Sequence, residues 1–506
     1  MQRTIKELLV DRADKLKDKT FLYWEEDEIS YQDLLSLALK ISSSFIQRGL
    51  QKDDKVCVWA FNRPEYLYLF FGSAFAGTVL TPINTQFKSS EARYIIQNSQ
   101  AKVLVTQPEF MKMVDEIRPE CPDLKEVIVL DEAPAGTVPF DDLYSPKQLE
   151  DREVEAEDIA GIIYTSGTTG YPKGVLLTHH NYLFNAWEIV EAAKMTEADR
   201  FMCILPLFHV NGQLVTVLSP LYAGASMILL KGFSPKEFLP KLARYQATAF
   251  SGVPTVYAIL NNLPDAESYD LGNLRFCICG AAPMPVEVFE TFEKKYKAFI
   301  LEGYGLSEGT CASSINPLDG TRKIGSIGIP FQGQEMRIVD DRGEEVPRGQ
   351  VGEIVVRGGN VMKGYYRNEK ATQETLKNGW LHTGDLGHQD EDGYFFIVGR
   401  KKEMIIRGGE NIYPKEIEEV LYKHPGILDA AVVGIPDKIW GEEVGAFIVP
   451  KEGIELKEQE VIDYCKSRIA NYKCPRMVFF WEDLPKTATG KIQKNKILER
   501  HLDKSA

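Results

Sequence analysis

Apolar residues recur in two rhythms that alternate along most of the chain. Helical spacing marks stretches such as Tyr31 to Arg48 and Pro235 to Tyr245, and between such stretches lie short β-rich runs at Lys55 to Ala60, Lys102 to Thr106, Val127 to Leu130 and Ser226 to Leu230. This alternation predicts an α/β fold with largely parallel sheets. From Gly325 to Val398 the texture changes to short strands (Glu335 to Val339, Gly352 to Arg357, Tyr394 to Val398) divided by glycine-rich turns, which predicts a smaller, barrel-like β unit. Beyond Arg400, Lys401 and Lys402, strands (Ala430 to Val433, Val444 to Val449, Met477 to Phe480) alternate with helices (Pro414 to Lys423, Lys457 to Arg468), so a domain boundary is expected near Lys402.

Two stretches carry no Lys, Arg, Asp or Glu, Tyr66 to Phe87 and Phe201 to Leu230, and each is long enough to resemble a membrane span. Gly72, Gly77 and Pro82 interrupt the first, and Pro206, Asn211, Gly212 and Pro220 the second, so both read as buried helix-turn-strand segments. A chain of 506 residues also exceeds one ordinary domain. Its 59 basic and 73 acidic residues give a net charge of −14, which argues against a nucleic-acid binder that relies on a broadly basic surface. Eight cysteines are scattered without metal-ligand spacing, and Met1 to Trp24 mixes both charge signs without an apolar block. The expectation is a cytoplasmic protein with reduced thiols and no integral membrane association.

The strongest local signal is Tyr164-Thr-Ser-Gly-Thr-Thr-Gly-Tyr-Pro-Lys-Gly-Val175, directly after the apolar run Ile159 to Ile163. Its glycines permit close backbone approach, Thr165, Ser166, Thr168 and Thr169 offer hydroxyl donors, and Lys173 adds a cation, which together suit phosphates. It is not a Walker A loop, because Gly174 follows the lysine. Leu301-Glu-Gly-Tyr-Gly-Leu-Ser-Glu308 sets an aromatic beside glycines and ends on an acid that suits a hard cation such as Mg²⁺. Gly379-Trp-Leu-His-Thr-Gly-Asp385, Gly393 to Arg400 and Pro485-Lys-Thr-Ala-Thr-Gly-Lys491 complete the set. A carboxylate such as Asp385 at a glycine turn can accept both hydroxyls of a sugar diol.

In this order the motifs resemble those of the adenylate-forming superfamily of acyl- and aryl-CoA synthetases, nonribosomal peptide synthetase adenylation domains and beetle luciferases, over essentially the whole chain. The resemblance implies an N-terminal domain, residues 1–401, of two α/β subdomains and the small β unit, and a mobile α+β C-terminal domain, residues 402–506, hinged at Lys402. It implies that Thr165, Ser166, Gly167, Thr168, Thr169, Gly170 and Lys173 hold the ATP phosphates, and that Gly280, Ala281, Ala282, Gly303, Tyr304 and Gly305 form the adenine site and its surroundings. Asp385 and Arg400 would take the ribose, Glu308 the Mg²⁺, and Lys491 the reacting carboxylate and α-phosphate, with His209 and Gly305 beside the acid. After domain rotation Gly408, Gly409 and Trp440 would meet coenzyme A.

The activity so implied is an ATP-dependent carboxylate:CoA ligase. Transfer to a carrier-protein thiol and a non-catalytic nucleotide-binding role are the alternatives, and luciferase chemistry is disfavoured by the ending Asp503-Lys-Ser-Ala506. The acid and the oligomeric state, a homodimer among the options, stay open. Residues 401–506 hold 18 basic and 18 acidic groups, so the whole acidic excess lies before them, while residues 466–506 carry 10 basic and 4 acidic groups around Lys491. The tail is where phosphate contact is expected.

Overall fold

A computed structural model describes residues 2–505 except 166–171, 265, 281, 283 and 488–490. Ser166, Gly167, Thr168, Thr169, Gly170 and Ala281 therefore lie outside the described residues. The large N-terminal part is built on two α/β sheets. One has eight strands and a parallel centre, Ile159–Thr165, Val79–Pro82, Lys55–Trp59, Val103–Thr106 and Glu126–Val129. The other has nine, and its parallel run passes through Phe299–Tyr304, Phe276–Cys279, Ala249–Gly252, Arg200–Cys203 and Ser226–Leu229. Strands fully buried on both faces explain the unbroken apolar runs of the sequence.

Both uncharged stretches are core. Helix Pro64–Ala76 packs beneath strand Val79–Pro82, and the second stretch folds as Arg200–Cys203, a helical segment from Val210 to Ala223 with a five-residue π turn at Leu214–Leu218, and Ser226–Leu229. No helix among the described residues is long and apolar enough to cross a membrane. All eight cysteines are unpaired.

The β unit is an antiparallel sheet, Gln334–Val339, Gly352–Gly358, Trp380–Gln389 and Leu376–Lys377, with Phe395–Arg400 added at Trp380–Gln389. Arg400 ends that strand and a turn follows, in which the Glu403 and Met404 N–H groups donate to the Arg400 carbonyl at 2.9 and 3.0 Å. The small C-terminal domain has its own sheet around Ile427–Asp437 and Gly441–Pro450, and its own apolar core from Ile405 to Val478. It docks on the β unit through Lys415, whose Nζ donates to the Ile397 carbonyl at 2.7 Å.

The nine-stranded sheet owes much of its rigidity to an aromatic cluster in which Phe250, fully buried, lies 5.1 Å from Phe238, 5.5 Å from Tyr257 and 6.2 Å from Phe292. Phe250→Ala should destabilise this subdomain by about 3–5 kcal/mol, read as an earlier first transition in denaturant unfolding followed by circular dichroism.

Candidate active site

The sheet topology sets the location. In open parallel sheets the loops leaving the carboxyl ends of the strands form the binding crevice. Thr165 ends Ile159–Thr165 in the first sheet; Gly280 directly follows Phe276–Cys279, and Gly303 and Tyr304 end Phe299–Tyr304, in the second. Thr165 pairs with Lys173 across the antiparallel partner strand, so the hydroxyl and the cation at the two ends of the glycine loop are cross-strand neighbours.

Tyr304 reaches from the second sheet to the β unit. Its buried hydroxyl donates to Asp385 Oδ2 at 2.6 Å, and Arg400 Nε donates to Asp385 Oδ1 at 2.8 Å. Asp385 and Arg400 are directly opposed in register, so the β unit presents the pair as one cross-strand unit. The Asp385 N–H donates to Thr383 Oγ1 at 3.1 Å and the Gly384 N–H to Glu353 Oε1 at 3.0 Å, which fixes the turn before the acid. Asp385 is only 5% exposed, yet each carboxylate oxygen has a second lone pair left for a hydroxyl donor. The tyrosine hydroxyl is pushed well above its usual range by burial and then by the adjacent carboxylate, and Asp385 raises the Arg400 guanidinium.

Glu308 lies on the far side of the same loop. Tyr365 donates its hydroxyl to Glu308 Oε1 at 2.7 Å, and Lys173 Nζ stands 4.9 Å from the Tyr365 ring centroid. Tyr365 therefore stands between Lys173 and Glu308, a link that the motifs did not expose. No group of three or more His, Cys, Asp or Glu that could hold a metal occurs among the described residues. A magnesium ion at Glu308 would thus take this one carboxylate together with nucleotide phosphate oxygens, as Mg²⁺ commonly does.

Glycines bring backbone close where side chains would block it. A Cβ on Gly305 would lie 1.6 Å from the Cys311 carbonyl oxygen, and one on Gly303 would lie 3.1 Å from that of Ser314. Ala282 is described and partly buried beside them. His209 follows strand Arg200–Cys203 at the same edge, and its Nε2 is buried without a hydrogen-bond partner. Burial pushes its imidazole down to about 4. Ser251 donates to Asn211 Oδ1 at 3.2 Å.

Lys491 comes from the other domain. Solvent still reaches it, but lost hydration is the largest influence on its ammonium, followed by repulsion from Arg400, with Asp385 and Glu403 attracting it; the net shift is downward. The C-terminal lysine is thus brought into the field of the Asp385–Arg400 pair. Lys494 anchors the same segment by bridging Glu418 at 2.7 Å and Glu403 at 3.4 Å. Gly408, Gly409 and Trp440 are not part of this cluster: Gly408 and Gly409 adopt φ of 59° and 92°, the Gly408 N–H donates to the Trp440 carbonyl at 2.9 Å, and Arg407 stacks 4.5 Å from the Trp440 ring centroid.

Residues 9–366 match the AMP-binding enzyme family, and residues 416–491 match the AMP-binding enzyme C-terminal domain. The chain belongs to the AMP-binding enzyme family. A long-chain-fatty-acid–CoA ligase of Bacillus subtilis is 35% identical across 99% of this chain and 95% of its own, and a sulfoacetate–CoA ligase of Cupriavidus necator is 37% identical across 98% and 97%. The crystal structure of the anthranilate CoA ligase AuaEII with anthranoyl-AMP superposes with a TM-score of 0.93 at 30% identity, covering 100% of this chain and 99% of that one. Within the family the chain is an AMP-forming, ATP-dependent carboxylate:CoA ligase that uses ATP, Mg²⁺ and coenzyme A.

Two buried neutral histidines each make an acid-sensitive contribution to the stability of this AMP-binding enzyme. His179 is also pushed down to about 4 by burial. Unfolded histidine protonates near 6.5, so between about pH 6.5 and 4 the unfolded chain binds protons that the folded one refuses, and stability falls as pH falls. Glu188 and Glu302, raised to about 7 by burial, act oppositely, since the folded chain keeps their protons and loses that advantage as pH rises toward 7. Comparison of parent and His209→Asn melting temperatures across pH 4 to 8 isolates one contribution: the variant should lose less stability than the parent from pH 6.5 to 4.

Proposed function

We propose that the Asp385–Tyr304–Arg400 cluster holds the adenosine of ATP, that Thr165 and Lys173 with the loop between them hold its phosphates, and that Lys491 neutralises the charge that builds as the acid attacks. The feature that supports this reading is the electrostatic influence of Arg400 and Asp385 on Lys491, although ninety residues and a domain boundary separate Lys491 from Arg400 in sequence. In this reading a carboxylate oxygen attacks the α-phosphorus, the bond to the β-phosphate breaks, and pyrophosphate leaves with the phosphate loop around it. The protein supplies position and charge; no side-chain nucleophile is needed. An ammonium already repelled by Arg400 gains from an arriving anion, which is how preorganised charge favours the transition state. A bound Mg²⁺ at Glu308 would neutralise phosphate oxygens.

The second step needs a different arrangement, since CoA sulfur must reach the acyl carbonyl and displace AMP. We place the pivot in the turn at Lys402, between an N-terminal domain ending at residue 401 and a C-terminal domain beginning at 402. Rotation there would remove Lys491 and bring in the Gly408–Gly409 corner, whose left-handed backbone favours glycine and exposes a flat backbone surface for the pantetheine arm. Trp440, 45% exposed, would lie along the CoA path. Cytoplasmic placement fits the eight unpaired cysteines and the supply of ATP and CoA.

Lys491→Ala should lower acid-dependent pyrophosphate release by about 10²- to 10³-fold and leave thioester formation from supplied acyl-adenylate and CoA within a few-fold of the parent. Rapid-quench assays of the separate half reactions check this, and equal loss in both would overturn the assignment.

A further inference from the structure

We propose that the acid used by this enzyme carries one negative charge, on the reacting carboxylate, and that the rest of the molecule is uncharged. The inference rests on the ligase reading and adds the electrostatic class of the substrate. Relatives of similar identity do not decide the matter, because one is named for a long-chain fatty acid and another for sulfoacetate, a dianion.

The argument comes from the carboxyl edge of the nine-stranded sheet, where four adjacent parallel strands end at Cys203, Gly252, Cys279 and Tyr304. The segments that leave these ends are empty of cations for long distances. After Cys203 the first lysine or arginine is Lys231, after Gly252 it is Arg275, after Cys279 it is Lys294, and after Tyr304 it is Arg322. Lys231 pairs with Glu25 at 2.9 Å, and Arg322 pairs with Glu293. Arg275 bridges Asp199 at 2.6 Å and directly precedes strand Phe276–Cys279, which puts it at the opposite edge of the sheet. Lys294 lies in the last turn of helix Val286–Tyr296, which returns the chain to that opposite edge for Phe299–Tyr304.

What these strand ends add is neutral groups and, at Glu302 and Glu308, carboxyl groups, but no cation. Gly280, Gly303 and Gly305 offer backbone, Asn211 and Ser251 bond to each other, and His209 is held uncharged near neutral pH by burial. Lys173, Arg400 and Lys491 are assigned to the phosphates, the Asp385 carboxylate and the reacting carboxylate. A second carboxylate or sulfonate would therefore be desolvated with no partner, a cost that attraction to a distant, screened cation does not recover. An uncharged tail meets no such cost.

Size-matched acids test this with the full-length wild-type enzyme, ATP, Mg²⁺ and CoA, by pyrophosphate release: butanoate with succinate, octanoate with octanedioate, and benzoate with terephthalate. At pH 8 at least one monoacid should react, and each one that does should exceed its diacid by about 100-fold or more in kcat/KM. The succinate deficit should narrow toward pH 5, where its second carboxyl is partly protonated while His209 stays neutral. Diacids that equal or outpace their monoacids at pH 8 would overturn the inference and leave the ligase reading intact. Absence of release with every mono- and dianionic acid would overturn both.

Discussion

The Asp385 carboxylate is the point on which the arrangement of this molecule depends. Buried to 5% exposure, it cannot stay charged without partners, and it has two: the Tyr304 hydroxyl from the nine-stranded sheet and the Arg400 guanidinium from the neighbouring strand. Each partner does more than neutralise. Tyr304 joins sheet to β unit, and Arg400 stands at the last residue before the interdomain turn, where its carbonyl accepts the two N–H groups that shape that turn. The same pair sets the field that Lys491 enters from the far domain. One buried charge therefore ties the nine-stranded sheet, a turn between domains and a basic tail into one electrostatic unit.

The fold was legible where period and punctuation agreed. Helix Tyr31–Gln47 ends one residue before the sequence expectation, Lys55–Trp59 and Ser226–Leu229 fall one residue short of theirs, and both uncharged stretches are core segments. These are places where local pattern and global burial make the same demand. The π turn at Leu214–Leu218 was not legible, because it is set by packing between helix His179–Ala193 and strands Arg200–Cys203 and Ala249–Gly252 rather than by any residue preference.

The site was legible in part. Motif resemblance singled out Asp385, Arg400, Tyr304, Glu308 and Lys491; the structure joins Tyr304, Asp385 and Arg400 by hydrogen bonds, sets Lys491 in the field of the last two, and joins Glu308 to Tyr365. The links between them were not visible. Tyr365 bridges Lys173 and Glu308, Glu353 fixes the turn before Asp385, and Lys494 bridges Glu403 and Glu418 across a tail helix. Each joins residues far apart in sequence through a common side chain, and such contacts leave no trace in spacing. Net charge misled in a useful way: the acidic total of −14 hid a neutral C-terminal domain whose last segment is basic.

We propose that one active site serves two domain arrangements, with Lys491 in the first and the Gly408–Gly409 corner in the second. Glu391 and Lys438 are exposed, one in each domain, and cysteines there can carry spin labels. The distance between them, measured by pulsed electron resonance with ATP and Mg²⁺ and again with acyl-adenylate and CoA, tests the claim most directly. Two distinct distance distributions, each favoured by one set of ligands, are predicted; a single distribution unchanged between the two conditions would contradict it.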